Sequence, residues 1–255
     1  MKKTVSLILA ALLALSVCVC AASAADSVNI FVTIDDENGA IALARKAVTV
    51  TDVDGDGSLT VNDALITAHD KYYKGGAAAG YKTDVTLYGL SITMLWGGGK
   101  DHGFGYYINN NSCWSLSDTV AEGDDLVAFV YTDTKNYSDA YCFFDAFTVE
   151  SKQYETVDLA LSYYTFDANF NPVKTALKGA TITIDGKATK FKTDDEGKVT
   201  VEINSKGEHV ISATAPEGLV ISAPVCVTDT VGASVIEVLM HFINMIVNFF
   251  KGLFK

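Results

Sequence analysis

The chain has 255 residues, a formal net charge of −12, 49% hydrophobic residues and only three prolines. So acidic a chain lacks the basic surface that neutralises phosphates, which excludes nucleic acid as a partner. The apolar content excludes a disordered stalk and suffices for one or two folded domains.

The first segment carries Lys2 and Lys3, an apolar run from Val5 to Leu15, and small residues at Ala21-Ala22-Ser23-Ala24. A charged start, an apolar middle and a small-residue site describe a secretory signal peptide over residues 1–24, cleaved after Ala24. The expected location is therefore extracellular, associated with the cell surface. Export permits disulfides. Of the cysteines that follow, Cys113 and Cys142 are spaced to sit on neighbouring strands, whereas Cys226 has no evident partner. A Cys113–Cys142 bridge and three small buried thiols both fit this pattern.

Residues 26–150 read as one α+β unit. Val28 to Ile34 is rich in β-formers, Asp35-Asp36-Glu37-Asn38-Gly39 is a turn, and Ile41 to Val50 leads into the run Asp52-Val53-Asp54-Gly55-Asp56-Gly57-Ser58-Leu59-Thr60-Val61-Asn62-Asp63. With Asp52 as position 1, carboxylates fall at positions 1, 3, 5 and 12, and Gly57 occupies position 6, where the chain must turn sharply. That alternation wraps hard oxygen ligands around one Ca²⁺. The expected ligands are Asp52, Asp54, Asp56, the backbone carbonyl of Ser58, Thr60 and Asp63.

Asp63 at position 12 and Thr60 at position 9 make the loop resemble that of a dockerin, where an EF-hand-type calcium loop is paired with a second in tandem. The resemblance covers residues 50–73. The other acidic turns, Asp35 to Gly39 and Thr193 to Gly197, lack the alternation. A dockerin docks onto cohesin with both halves, so a single loop favours a structural calcium, with cohesin as the alternative partner.

After the loop, Ala64, Leu65, Ala68, Tyr72 and Tyr73 recur at helical spacing, and Gly75-Gly76 is a stop signal. An apolar stretch from Val85 to Leu95 precedes the flexible Gly97-Gly98-Gly99. Strands are expected at Gly105 to Asn110, Leu126 to Tyr131 and Ala140 to Val149. The segment Phe104-Gly105-Tyr106-Tyr107-Ile108-Asn109-Asn110-Asn111, followed by Glu122-Gly123-Asp124-Asp125 and an apolar strand to Tyr131, resembles the transcobalamin-like C-terminal domain of bacterial surface proteins. That resemblance implies a β-grasp-like fold and, in the vitamin carriers, a corrinoid ligand. Trp96, Phe104, Tyr106, Tyr107 and Trp114 would then either line a pocket or pack in the core.

Residues 155–230 alternate short strands with turns. Val157 to Tyr163, Thr181 to Ile184, Lys190 to Lys192, Val199 to Ile203, His209 to Ala213 and Leu219 to Val227 are the strands. Asp185-Gly186 is a hairpin dipeptide, and Asp194 to Lys198 is a second turn. The pattern is that of a β-sandwich, similar to the immunoglobulin-like repeats of bacterial surface proteins, which implies a spacer or adhesive role.

In the last segment, 234–255, Ser234, Glu237, His241, Asn244, Asn248, Lys251 and Lys255 recur at alternating spacings of three and four, and large apolar residues fill most of the intervals. This is an amphipathic C-terminal helix with a narrow polar stripe. It suits a membrane surface, self-association or docking on the sandwich. The chain has no G-x-S-x-G elbow, no H-E-x-x-H, no phosphate loop and no dinucleotide fingerprint. The expectation is a non-catalytic, calcium-binding, secreted protein.

Overall fold

The computed structural model describes residues 26–87, 89–169 and 171–253. The signal segment expected at 1–24 lies outside the described residues.

The chain starts with a hairpin of β1 (Val28–Asp35) and β2 (Ile41–Val50). β1 also pairs in parallel with β7 (Asp125–Val130), which pairs antiparallel with β5 (Phe104–Ile108), and β5 with the short β6 (Asn111–Ser112). The sheet order is β2-β1-β7-β5-β6. Every residue of β7 is buried, as expected for a central strand covered on both faces.

On one face lies helix α1 (Val61–Tyr72). Its apolar residues Val61, Ala64, Leu65 and Ala68 form a stripe packed on Ile30, Val32, Ile34, Val48, Val50, Leu126, Ala128 and Val130. A single turn, α2 (Ala77–Gly80), leads to a separate hairpin of β3 (Lys82–Thr86) and β4 (Gly89–Met94). The apolar stretch from Val85 is thus split by a turn, and Val85 and Leu87 are exposed at 80% and 100%.

The second unit has two sheets. One joins β10 (Pro172–Ala176), β9 (Thr156–Phe166) and β13 (Lys198–Glu202), with β8 (Cys142–Phe144) also on β9. The other runs β12 (Lys187–Lys192), β11 (Thr181–Ile184), β14 (Gly207–Thr214) and β15 (Cys226–Thr230). Alternate residues from both sheets meet between them: Val157, Leu159, Leu161, Val199 and Val201 from one, Ile182, Ile211, Ala213 and Cys226 from the other. This is a β-sandwich. The Asp194 to Lys198 turn forms, with Asp194 N–H bonded to the Lys198 carbonyl, but it carries the chain across to the opposite sheet.

β8 differs from the sequence expectation, which places a longer strand, Ala140 to Val149, in the first unit. Only Cys142–Phe144 is strand, and it pairs with Leu161 to Tyr163 of β9. All three residues are buried, so no polar alternation distinguishes one sheet from the other. The expected strand Leu219 to Val227 is likewise irregular until Cys226.

The outer face of β7 meets the sandwich in an aromatic seam. Val127, Phe129, Tyr141 and Phe143 are buried there, with Tyr107, Tyr131, Phe147 and Tyr164 around them. The chain continues into α3 (Val235–Leu253), started by a capping box in which Ser234 N–H donates to Glu237 Oε2 at 2.8 Å and Glu237 N–H donates to Ser234 Oγ at 3.4 Å.

Candidate metal centre

The acidic loop connects β2 to α1, so its two ends are held by the central hairpin and the helix that covers it. Gly55 and Gly57 sit at φ +77° and +88° with open space where a side chain would project. These left-handed turns, which glycine adopts without strain, let successive amides face inward. Gly55 N–H (2.7 Å) and Asp56 N–H (3.1 Å) donate to Asp52 Oδ1, and Gly57 N–H donates to Asp52 Oδ2 at 2.9 Å.

Asp63 is the pivot. Its side chain has no exposed surface. Oδ1 accepts from Val53 N–H at 2.9 Å, and Oδ2 accepts from Thr60 N–H (3.0 Å) and Thr60 Oγ1–H (2.6 Å). Thr60 is the N-cap of α1, and Asp63 completes the capping box at the third helical position. One carboxylate thus ties the loop's entry to its exit.

Carboxylate oxygens of Asp52, Asp54 and Asp63 lie within 4.8 Å of one another. Asp56 stands outside this group and accepts from Ser58 N–H at 2.8 Å. Thr60 faces the helix cap, and Ser58 is half-buried beside it. The structure therefore brings together three of the predicted ligands and places Asp56, Ser58 and Thr60 around them. Asn62, not foreseen as part of the site, donates from its amide to Asp54 Oδ2 at 3.2 Å and accepts from Tyr81 Oη–H at 3.1 Å. Its position next to the last ligand was the only signal for it.

The donor set fits a hard dication. Carboxylate oxygens are the ligands Ca²⁺ prefers, and each of the three converging groups keeps lone-pair capacity beyond its hydrogen bonds. Among the described residues, no Lys, Arg or His makes an ion pair with Asp52, Asp54, Asp56 or Asp63.

The aromatic residues singled out in the sequence do not share a face. Trp96, Phe104 and Tyr106 pack on the first core, Tyr107 joins the seam on the opposite side of the sheet, and Trp114 is 96% exposed. Cys113, Cys142 and Cys226 are free thiols. Burial raises all three, Cys113 and Cys226 to about 12, so none is a reactive thiolate.

A second polar cluster was not foreseen. His209 Nδ1 lies 2.8 Å from Asp185 Oδ2, and Nε2 lies 3.2 Å from Ser205 Oγ. The connectivity is that of a nucleophilic triad. Nε2, however, is closer to the Ser205 carbonyl, at 3.0 Å. Asp185 meanwhile anchors its own hairpin by accepting from Val210 N–H at 3.0 Å. The imidazole is a strut between two turns.

No family model matches the chain, and no curated protein matches it. Among solved structures, the fibronectin(III)-like modules of Clostridium thermocellum CbhA align at 10% identity, over 60% of this chain and 95% of theirs, with a TM-score of 0.29. The four N-terminal immunoglobulin domains of Dscam1 isoform 9.44 align at 11% identity, over 60% of this chain and 32% of theirs, with a TM-score of 0.22.

Proposed function

We propose that the chain is an exported, cell-associated, non-catalytic protein with a surface binding or adhesion role, its first unit stabilised by one Ca²⁺ held by Asp52, Asp54 and Asp63. The observation that carries this reading is the convergence of three carboxylates, one of them fully buried, with no cationic partner among the described residues. Ca²⁺, when bound, would supply a positive charge between these carboxylates. The chain's own residues do the rest. Asp63 pins Val53 to Thr60, Asn62 steadies Asp54, and α1 is set over the sheet at a fixed point.

The same reading takes the first unit as β-grasp-like. Its support is a starting hairpin, a helix across the sheet, and a later strand returning parallel to β1 at the centre.

Extracellular calcium modules work at Kd values of about 10⁻⁴–10⁻³ M. At ten times Kd, binding adds about 1.4 kcal/mol of stability. The test is the thermal unfolding of the parent chain and of Asp52→Ala/Asp54→Ala, each in CaCl₂ and in EDTA. Calcium should raise the parent's melting temperature and leave the double variant unmoved. Superimposable parent curves in the two buffers would sink the reading.

A further inference from the structure

The first half of the polar stripe of α3 faces the protein, and most of its apolar surface faces away. Glu237 bonds Lys152, the His241 ring stacks on Tyr154 with centroids 4.1 Å apart, and Asn244 lines the same groove. Polar contacts thus seat the helix. No part of the window Val235–Gly252 is buried, although it is long and apolar enough to cross a membrane. This is neither a core helix, which would be covered, nor a leader, since it follows both folded units.

What covers this surface must match its width. Val235, Leu239, Phe242, Ile246 and Phe249 form one apolar row at spacings of four and three, and Ile236, Met240, Ile243, Val247 and Phe250 form a second beside it. Each of these residues is between 42% and 86% exposed. Val238 and Met245 extend the surface further round. Five of the seven positions are apolar in the repeats 234–240 and 241–247, and the other two are the stripe. A single helical partner from a second copy covers one seam of two positions per heptad, which leaves the adjoining row in water, so self-association would need a bundle of several copies. Acyl chains cover every apolar position at once.

We propose that α3 lies in the surface of a lipid bilayer, its apolar rows among the acyl chains and its stripe still seated on Lys152 and Tyr154. The helix is about 28 Å long from its 19 residues. Lying flat keeps Glu237, His241, Asn244 and Asn248 out of the hydrocarbon, where they would be costly. Apolar burial, not charge, drives the association, because the chain as a whole is acidic with a net charge of −12. This deepens the reading of the protein as cell-associated by naming its contact, and it is independent of the calcium loop.

The experiment is vesicle flotation of the full chain with phosphatidylcholine liposomes in EDTA, at low and high salt. It is run beside full-length Leu239→Asp/Phe250→Asp, one substitution in each row. Comparing chains that differ only in α3 removes any contribution from the apolar run Val5 to Leu15. The parent should float equally at both salt concentrations, and the double variant's bound fraction should fall roughly tenfold or more, with an unchanged melting curve because both sites lie outside the cores. The proposal is overturned if the parent stays unbound, if parent and variant float alike, or if sedimentation shows a lipid-free oligomer that the substitutions dissociate while vesicles capture nothing. Failure here with a calcium-dependent melting temperature intact would leave the metal reading standing.

Discussion

The ring of Tyr107, on β5, lies flat against that of Tyr141, beside β8, with centroids 3.6 Å apart and planes 5° from parallel. Tyr141 Oη donates to Asn110 Oδ1 at 2.8 Å and Tyr164 Oη donates to the Asn110 carbonyl at 3.0 Å, so the loop after β5 is tied to the sandwich at both ring tips. Removing a buried aromatic ring costs about 3–5 kcal/mol. Tyr141→Ala should therefore destabilise the chain by that amount and split its unfolding into two transitions. Tyr141→Phe should cost only about 1 kcal/mol, the lost hydrogen bond. Calorimetry of the two variants checks the pair, and a single unsplit transition for Tyr141→Ala would show that the seam does not couple the units.

If the loop holds Ca²⁺ as proposed, Thr60 and Asp63 should separate by their calcium dependence. Thr60→Ala removes the N-cap of α1 and should cost about 0.5–2 kcal/mol equally in EDTA and in calcium. Asp63→Ala removes the reciprocal cap and a proposed ligand together. It should therefore lose the calcium response that Thr60→Ala retains. Urea unfolding in both buffers measures the difference.

Asp35 is 1% exposed, at the end of β1, where Oδ2 accepts from Ala223 N–H of the sandwich at 2.8 Å. Among the described residues, Oδ1 has no hydrogen-bond partner. Burial holds its pKa well above the ordinary carboxylate value, the Ala223 amide opposes this, and neighbouring Asp36 adds to it. Because the folded-state pKa exceeds that of the unfolded chain, the group's stabilising contribution is complete below about pH 4 and is lost as pH rises through the folded value. Asp35→Asn keeps the acceptor for Ala223 and cannot ionise. It should be more stable than the parent near neutral pH, with the gap closing toward about pH 4. Equal stabilities across that range would mean that Asp35 does not titrate on folding.

His69 imposes the opposite slope. It is fully buried in α1, and Nδ1 lies 2.7 Å from the Leu65 carbonyl while Nε2 accepts from Trp96 N–H at 3.0 Å. A carbonyl can only accept, so the ring is neutral with its proton on Nδ1. Burial lowers its pKa, against the opposing pull of the Leu65 carbonyl and of Asp70. A depressed value in the folded state means that the contribution is present above about pH 6.5 and is lost as pH falls through the folded pKa. NMR titration of the ring should show a midpoint below 6.5, the ordinary value. A midpoint at or above it would contradict this geometry.

Local signals were legible in the sequence, and long-range pairings were not. The helix expected after the loop forms over Val61–Tyr72, because its apolar spacing acts within a single turn. Asp185-Gly186 forms the expected two-residue hairpin loop, with φ of +50° and +73°, and Ile184 pairs with Lys187. The β-sandwich could be read because alternation and turns recur along each strand. The parallel pairing of Phe31 with Asp125 leaves no local trace. Nor could the stripe of α3 reveal whether it faced water or protein, since Lys152 and Tyr154 are distant in sequence. At the candidate metal centre, the carboxylate spacing was visible, but Asp63's double attachment to Val53 and Thr60 required the folded loop.

The three residues of β8 belong to two different cores. Cys142 and Phe144 point into the sandwich, whereas Phe143 sits in the aromatic seam against β7. The connection that leads there is itself fixed, since buried Asp139 accepts from the backbone amides of Thr132 and Asp133 at 2.6 and 2.9 Å. A segment shared in this way leaves no place for a swivel. A load applied to the sandwich is therefore transmitted directly to β7, the innermost strand of the other sheet, so the protein would resist traction as a continuous strut.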